Sequence, residues 1–285
     1  MATIEYMPAR LTPKETEELR QAVACLEGAS FAQRLTDAVG RPVGMLSRAM
    51  PQSARRVVAH VSETALRSAL KLALRTLDLN DASAKPANRA HKLAAAASGA
   101  VGGALGLAAL PLELPISTTI LLRSIAEIAR EEGEDLSVPE AAFACVEVFA
   151  LGGHAGGETA TFESGYFAVR AALAKSVTDS ARFVAVQGVA GLPAPVVARL
   201  ISQIAARFGI VVSEKVAAQA APILGAIGGA AVNAAFADHF QTLARGHFIV
   251  RRLERQHGPS VVGFEYQRLQ GERARDYSES RRAAS

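Results

Sequence analysis

Tryptophan is absent from this 285-residue chain, aromatic residues make up 5% of it, and there are two cysteines, Cys25 and Cys145. So few aromatics give no membrane-interface belt. They also leave nothing to stack bases beside the basic stretches, so nucleic acid is not an expected partner. Two cysteines without a pairing pattern make no disulfide framework, and a reduced, intracellular setting fits them. The opening MATIEYMPARLTPKETEELR lacks the apolar run of a signal peptide. Strand signals amount to IVV at Ile210–Val212 and VVGFEY at Val261–Tyr266, too few for a sheet. The glycine-rich stretches have neither the spacing nor the preceding strand of a phosphate loop or dinucleotide fingerprint, and no cofactor is expected.

Helix signals fill the rest. Thr12-Pro13-Lys14-Glu15 is a capping box with proline at the first helical position, and FAQRLTDAVG reads as a short helix closed by Gly40. From Ala54 to Leu77, Arg56, His60, Glu63, Arg67 and Lys71 recur every three or four residues opposite an apolar side. PLELP reads as a break at Pro111–Pro115, followed by a helix to about Glu132. Further helices are expected over Pro139–Leu151 (with a Ser137/Glu140 capping box), Tyr166–Val177, Pro195–Phe208 ended by Gly209, and Ser213–His257. Charge is segregated: Arg41–Lys92 holds ten Lys/Arg against three acids, Leu112–Glu163 ten acids against two arginines, and the stretch after Phe240 is basic again. Such blocks attract each other within a fold or present separate faces to partners.

The hexapeptide GAVGGA at Gly99–Ala104 returns as GAIGGA at Gly225–Ala230. Gly99/Gly103, Gly102/Gly106 and Gly225/Gly229 are GxxxG pairs, which share a helix face and let a second backbone approach. Eighteen helical residues, Leu93–Leu110, would span ~27 Å. Their five Leu/Val side chains contribute only about −1.5 to −3 kcal/mol of insertion free energy, marginal for a bilayer span. The expected fold is all-α: an Ala/Gly-rich helical bundle with two glycine-zipper helices packed at its centre. A membrane-inserted Leu93–Leu122 hairpin is the rival. Glu113 between its two prolines reads as a hairpin-tip acid facing water or capping the following helix; the other reading is a buried acid paired with an arginine.

The stretches LPLELPISTTILLRSIAEIAREEGEDLSVPEAAFACVEVFALGG and AAQAAPILGAIGGAAVNAAFADHFQTLARGHFIVRRLERQHG together resemble the EcsC family, over roughly Ala94 to Gly258. The resemblance implies a helical protein of a bacterial family often described as membrane-associated. It supplies no catalytic residues. The expected organisation is an N-terminal helical region with a basic amphipathic helix over 1–92, an EcsC-like helical core over 93–258 and a basic polar tail over 259–285.

Polar side chains within the core offer three constellations. Arg123 and Glu127 form an i,i+4 pair, and Arg245 is expected to be buried against Glu127 or Glu147. Glu147, His154 and Glu158 would align on a continuous helix as metal ligands, but the glycines between them favour an ordinary turn. Asp238, His239 and His247 are the catalytic candidates of the final helix; Asp238 and His239, adjacent in sequence, point different ways and make no ready dyad.

The preferred function is a non-enzymatic, membrane-associated interaction protein, cytoplasmic and peripheral to the inner face of the membrane, linked to transport or envelope processes. Its expected partners are an anionic membrane surface or lipid, met through Arg56, Arg67 and Lys71, and a membrane protein. Two alternatives stand beside it. One is a small hydrolase or metal-dependent enzyme using the His and acid residues above. The other is a lipid-binding bundle using space between the glycine helices.

Overall fold

The computed structural model describes residues 11–40, 42–76, 109–153, 165–188, 194–219 and 225–283. Among them are ten helices and no strand: α1 (Pro13–Leu26), α2 (Phe31–Val39), α3 (Val43–Arg48), α4 (Gln52–Thr76), α5 (Leu110–Glu131), α6 (Pro139–Leu151), α7 (Tyr166–Gln187), α8 (Pro195–Gln219), α9 (Gly225–His257) and α10 (Pro259–Ala283). The chain is all-α. Local chemistry sets several ends. The Thr12 hydroxyl accepts the Glu15 N–H while the Glu15 carboxylate accepts the Thr12 N–H, a complete capping box at the start of α1. α2 stops at Gly40, whose φ of 67° is left-handed backbone suited to glycine.

Several helices depart from the sequence reading: α7 runs to Gln187 and not Val177, and the single helix expected over Ser213–His257 is divided, Ser213–Gln219 belonging to α8 and α9 starting at Gly225. PLELP does not break the chain; Pro111 sits in the first turn of α5, where no N–H is required, and Pro115 lies inside the helix at the cost of one backbone bond. Gly209 does not end α8, which runs on to Gln219. A mid-helix glycine costs only about 1 kcal/mol, and here Phe208, Val211 and Val212 are buried around it. The stretch read as a polar tail is α10, which packs on α1 and α9 and buries Val262, Tyr266 and Leu269. VVGFEY is therefore helical. The Ser137/Glu140 cap also fails to form, because Asp135 takes both the Ser137 hydroxyl and its N–H.

One core cluster draws buried side chains from every helix, α1 to α10. Helix α9 is its axis, in contact with α1, α2, α5, α6, α8 and α10. Cross-links give the directions. Glu15 meets His257 and Glu18 meets Arg252, so α1 runs antiparallel to α9. Glu113 meets Asn233 and Ser124 meets Gln241, so α5 runs parallel to it.

The expected contact between the two glycine helices lies outside the described residues, since Gly99, Gly103 and Gly106 do; Gly225 opens α9 and Gly229 is buried within it. Close approach is seen instead at Gly246, where α9 crosses α1. A Cβ there would stand 2.7 Å from Leu26 Cγ and 3.0 Å from the Ala22 carbonyl oxygen. Gly246→Ala must push the helices apart and should cost about 1–3 kcal/mol. Gly271, in α10, faces open space, and Gly271→Ala should gain up to about 1 kcal/mol from helix propensity. Thermal melts of the two variants should move in opposite directions; a fall at Gly271 as large as at Gly246 would contradict this packing.

Candidate functional site

Two charged features stand out among the described residues: clusters buried within the bundle and the basic face of α4. The first cluster joins α5, α8 and α9. Lys215 is fully buried, its Nζ 2.6 Å from Glu113 Oε1 and 4.8 Å from the centre of the Phe236 ring. Asn233 Nδ2 donates to the same carboxylate oxygen at 3.0 Å. Glu113 is thus no hairpin-tip acid in water; it is buried and paired, with a lysine in place of the expected arginine. Burial alone drives the Lys215 ammonium down from its ordinary pKa, while Glu113 beside it opposes the fall.

The second cluster lies where α6, α7 and α9 meet. Arg170 grips Glu254 with two bonds of 2.8 and 2.9 Å, and Arg251 grips Glu134 with two of 2.7 and 3.1 Å. Arg255 also bonds Glu134, and Arg252 bridges Glu132 and Glu18 at 2.7 and 2.8 Å. The acidic middle of the chain is thereby joined to the basic end. Beneath these forks the Tyr166 hydroxyl stands 3.0 Å from His247 Nδ1, with both side chains fully buried. Burial, and after it the charges of Arg170 and Arg251, push the imidazole well below its ordinary pKa, so it is neutral. Glu147 is buried beside them, and burial raises its carboxyl to about 7 against the pull of Arg170 and Arg251. Glu27, at the end of α1, accepts the Tyr166 N–H at 3.1 Å and the Tyr266 hydroxyl at 2.9 Å, tying α1, α7 and α10 together.

The remaining sequence candidates scatter. Arg245 is exposed, contrary to expectation: on α9 the buried positions include Ala244, His247, Phe248 and Arg251's partner-facing side, and Arg245 projects between them. Glu147 is acted on by the charges of Arg170 and Arg251 instead, neither of which was singled out as its partner. Arg123 is exposed and Glu127 half-buried. Asp238 lies 3.8 Å from Arg34 at the surface, whereas His239 is buried against Phe31 and Phe240. His239 and His247 are eight residues apart, about 12 Å along the helix, so the three catalytic candidates do not converge. His154 and Glu158 lie outside the described residues, and among the described residues no three His, Cys, Asp or Glu side chains gather as metal ligands. Gln241, one of the polar residues clustered along the final helix in the sequence, bonds Ser124 at 2.8 Å, and Ser124 was not singled out there.

The basic surface is α4. Arg55, Arg56, His60, Arg67 and Lys71 are exposed along it, with Ala54, Val58, Val61, Ala65, Leu66, Ala69 and Leu70 buried behind. Glu63 is the acid on this face, and Arg67 holds it at 2.6 Å. Arg55 bonds the Arg48 carbonyl and so fastens α3 to the first turn of α4. That corner exposes Met45, Leu46 and Val57, at 69%, 41% and 42%. One described helix, α8, is long and apolar enough to cross a membrane; it packs on α3, α4, α6 and α7 and carries Lys215.

The family model of the EcsC protein family matches residues 4–253, so the chain belongs to that family. The match takes in α1–α4 as well as the stretch from Ala94 on which the sequence resemblance rests. No curated protein and no solved structure matches the chain.

Removing one partner of the buried trio strands a charge. Lys215→Met should cost about 3–5 kcal/mol, and Glu113→Gln in the same chain should restore much of it. Arg245→Ala should cost no more than about 0.5 kcal/mol. Denaturant titration checks the order, which a single-variant Lys215→Met of wild-type stability would overturn. Glu147 adds a pH dependence. Its folded pKa, about 7, lies above that of the unfolded carboxyl, so folding favours the protonated form below pH 4.5, and that advantage fades as pH rises through 7, by about 3 kcal/mol in all. Glu147→Gln should flatten this slope; an unchanged slope between pH 5 and pH 8 would assign it elsewhere.

Proposed function

We propose that this EcsC protein is a membrane-associated, non-enzymatic interaction protein that rests on the anionic inner face of the membrane through α4. One observation carries the reading: the exposed side of α4 bears Arg55, Arg56, Arg67 and Lys71 against the single acid Glu63. Each basic residue near an anionic leaflet is worth about 1 kcal/mol. The exposed Met45, Leu46 and Val57 beside the start of α4 add apolar contact of the kind that seats surface-binding helices. The sum is a few kcal/mol, enough for reversible attachment and for a second contact, with a membrane protein, to decide where the protein settles. Free thiols at Cys25 and Cys145 support a cytoplasmic location. The sealed state of Tyr166 and His247 supports a binding role over a hydrolytic one, since a substrate has no described path to either.

The test is cosedimentation of the full chain with vesicles. Binding should require anionic phospholipid and should fall steeply as salt rises from about 0.1 M to about 1 M, where the Debye length shrinks from ~10 to ~3 Å. Arg56→Glu with Lys71→Glu, both far from any described partner in the core, should abolish it. Retention through an alkaline carbonate wash would replace surface attachment with the inserted Leu93–Leu122 hairpin. Equal binding to neutral vesicles, or none to any, would overturn the proposal.

A further inference from the structure

Helix α3 (Val43–Arg48) has six residues, too few to outweigh the cost of nucleating a helix, so its neighbours must hold it. Val43 is fully buried, its N–H donates to the Thr36 hydroxyl of α2 at 3.2 Å, and a Cβ on Gly44 would stand 3.6 Å from that of Ala32. At the other end Arg55 of α4 donates to the Arg48 carbonyl. α3 is thus packed on α2 and α8 and tied to α4. Its outer side carries Met45 and Leu46 away from the core, and Val57 is exposed in the second turn of α4.

Single exposed apolar side chains are ordinary, whereas two large ones side by side on a pinned helix mark a contact surface. At 69% exposure Met45 projects from the protein, while a groove for a peptide would cover the side chains lining it. A projecting apolar tip suits a soft surface that closes around it, and the flanking charge says which. From Ala38 to Ser62 the chain has four arginines and no Asp or Glu. Arg48, Arg55 and Arg56 among them are exposed. Asp37 and Glu63 bound the stretch, and Arg67 holds Glu63. Glu214, whose carboxyl feels the Arg48 charge, is half-buried and already accepts the Ala32 N–H. The tip therefore matches both layers of an anionic bilayer: acyl chains for Met45 and Leu46, phosphates for the arginines, whose planar forks fit phosphate oxygens.

We propose that Met45 and Leu46 enter the acyl layer of an anionic membrane, with Arg48 and Arg56 at the level of its phosphates, and that this tip makes attachment depend on how loosely the lipid headgroups are packed. The inference rests on the surface attachment of α4 proposed above and adds a short-range step to it. The charges of α4 act first, at a distance. α3 then needs a gap between headgroups, which curved membranes offer more often. Because α3 is already fixed to its neighbours, no segment has to become ordered on insertion. The unbranched thioether of Met45 adapts to an irregular gap.

The chain has no tryptophan, so a Met45→Trp variant carries a single indole that reports its own surroundings. With vesicles rich in phosphatidylglycerol its emission should move to shorter wavelength and be quenched by lipids brominated on the acyl chain. Lys71→Trp, on the basic face of α4, should be quenched far less. Met45→Ser with Leu46→Ser, both exposed, should melt like the wild type and bind these vesicles about tenfold more weakly. The same pair should lose the wild type's preference for small, curved vesicles over large ones of the same composition, whereas Lys71→Gln should weaken binding to both sizes alike. No quenching at position 45, or vesicle binding unchanged by the two serines, would overturn the insertion and leave surface attachment through α4 standing. Binding to no vesicle at all would overturn both. Loss of a dimer in the serine variant, with its vesicle binding unchanged, would overturn the insertion and assign the tip to a second copy of the chain.

Discussion

The buried polar side chains of α9 need partners inside the protein, because six other helices pack around it. A buried polar group without a partner costs several times what a satisfied one contributes. Along α9 the matching proceeds in order: Asn233 with Glu113, Gln241 with Ser124, His247 with Tyr166, Arg251 with Glu134, Arg252 with Glu132 and Glu18, Glu254 with Arg170, His257 with Glu15. Each match pins α9 to a different neighbour at a different height. The register of α1, α5 and α7 against α9 follows from these contacts. Alanine-rich faces alone would not set it, since small side chains slide past one another with little change in contact.

The same matching limits what the clusters contribute. A buried ion pair returns little net stability once desolvation is counted, but losing half of it is expensive. Lys215 and Glu113 therefore act against alternatives: a shift of α8 by one turn would leave a buried ammonium without its carboxylate. Thr12 and Glu15 work at lower stakes. The Thr12 N–H, and then His257, hold the Glu15 carboxyl down at about 2, so the start of α1 and the end of α9 are joined through an ionised group at the protein's edge.

How much of this was legible in the sequence follows from the range of each interaction. The ends of α1, α2 and α6 were readable because caps, a left-handed glycine and a leading proline act within four residues. The run of α8 past Gly209 was not, since the burial that outweighs glycine's propensity comes from α4 and α6, far away in the chain. α10 hid for a related reason: it is short of apolar residues, and only Val262, Tyr266 and Leu269, about one per turn, reveal its inner side. Among site residues, the amphipathic pattern of α4 identified its basic face without help from any other helix. Arg245 was misplaced because charge attraction names a pair of blocks without naming the member that turns inward. Its neighbours Arg251 and Arg252, each about three-quarters covered, do so. Glu113 showed as an acid out of place in an apolar run, yet nothing local pointed to Lys215, a hundred residues away.

Function is constrained by where the charge was left over. Among the described residues, most of the buried charge is paired across helices and the imidazole of His247 is walled in beside the Tyr166 phenol, so the interior is occupied with holding the bundle in register. Along the exposed side of α4, by contrast, Arg55, Arg56, Arg67 and Lys71 face the single acid Glu63, and positive charge is left over there. A field of that kind acts at long range and is screened by salt. The pull of that field on anything outside is therefore set by ionic strength, whereas the buried pairs that hold the helices in register are screened much less.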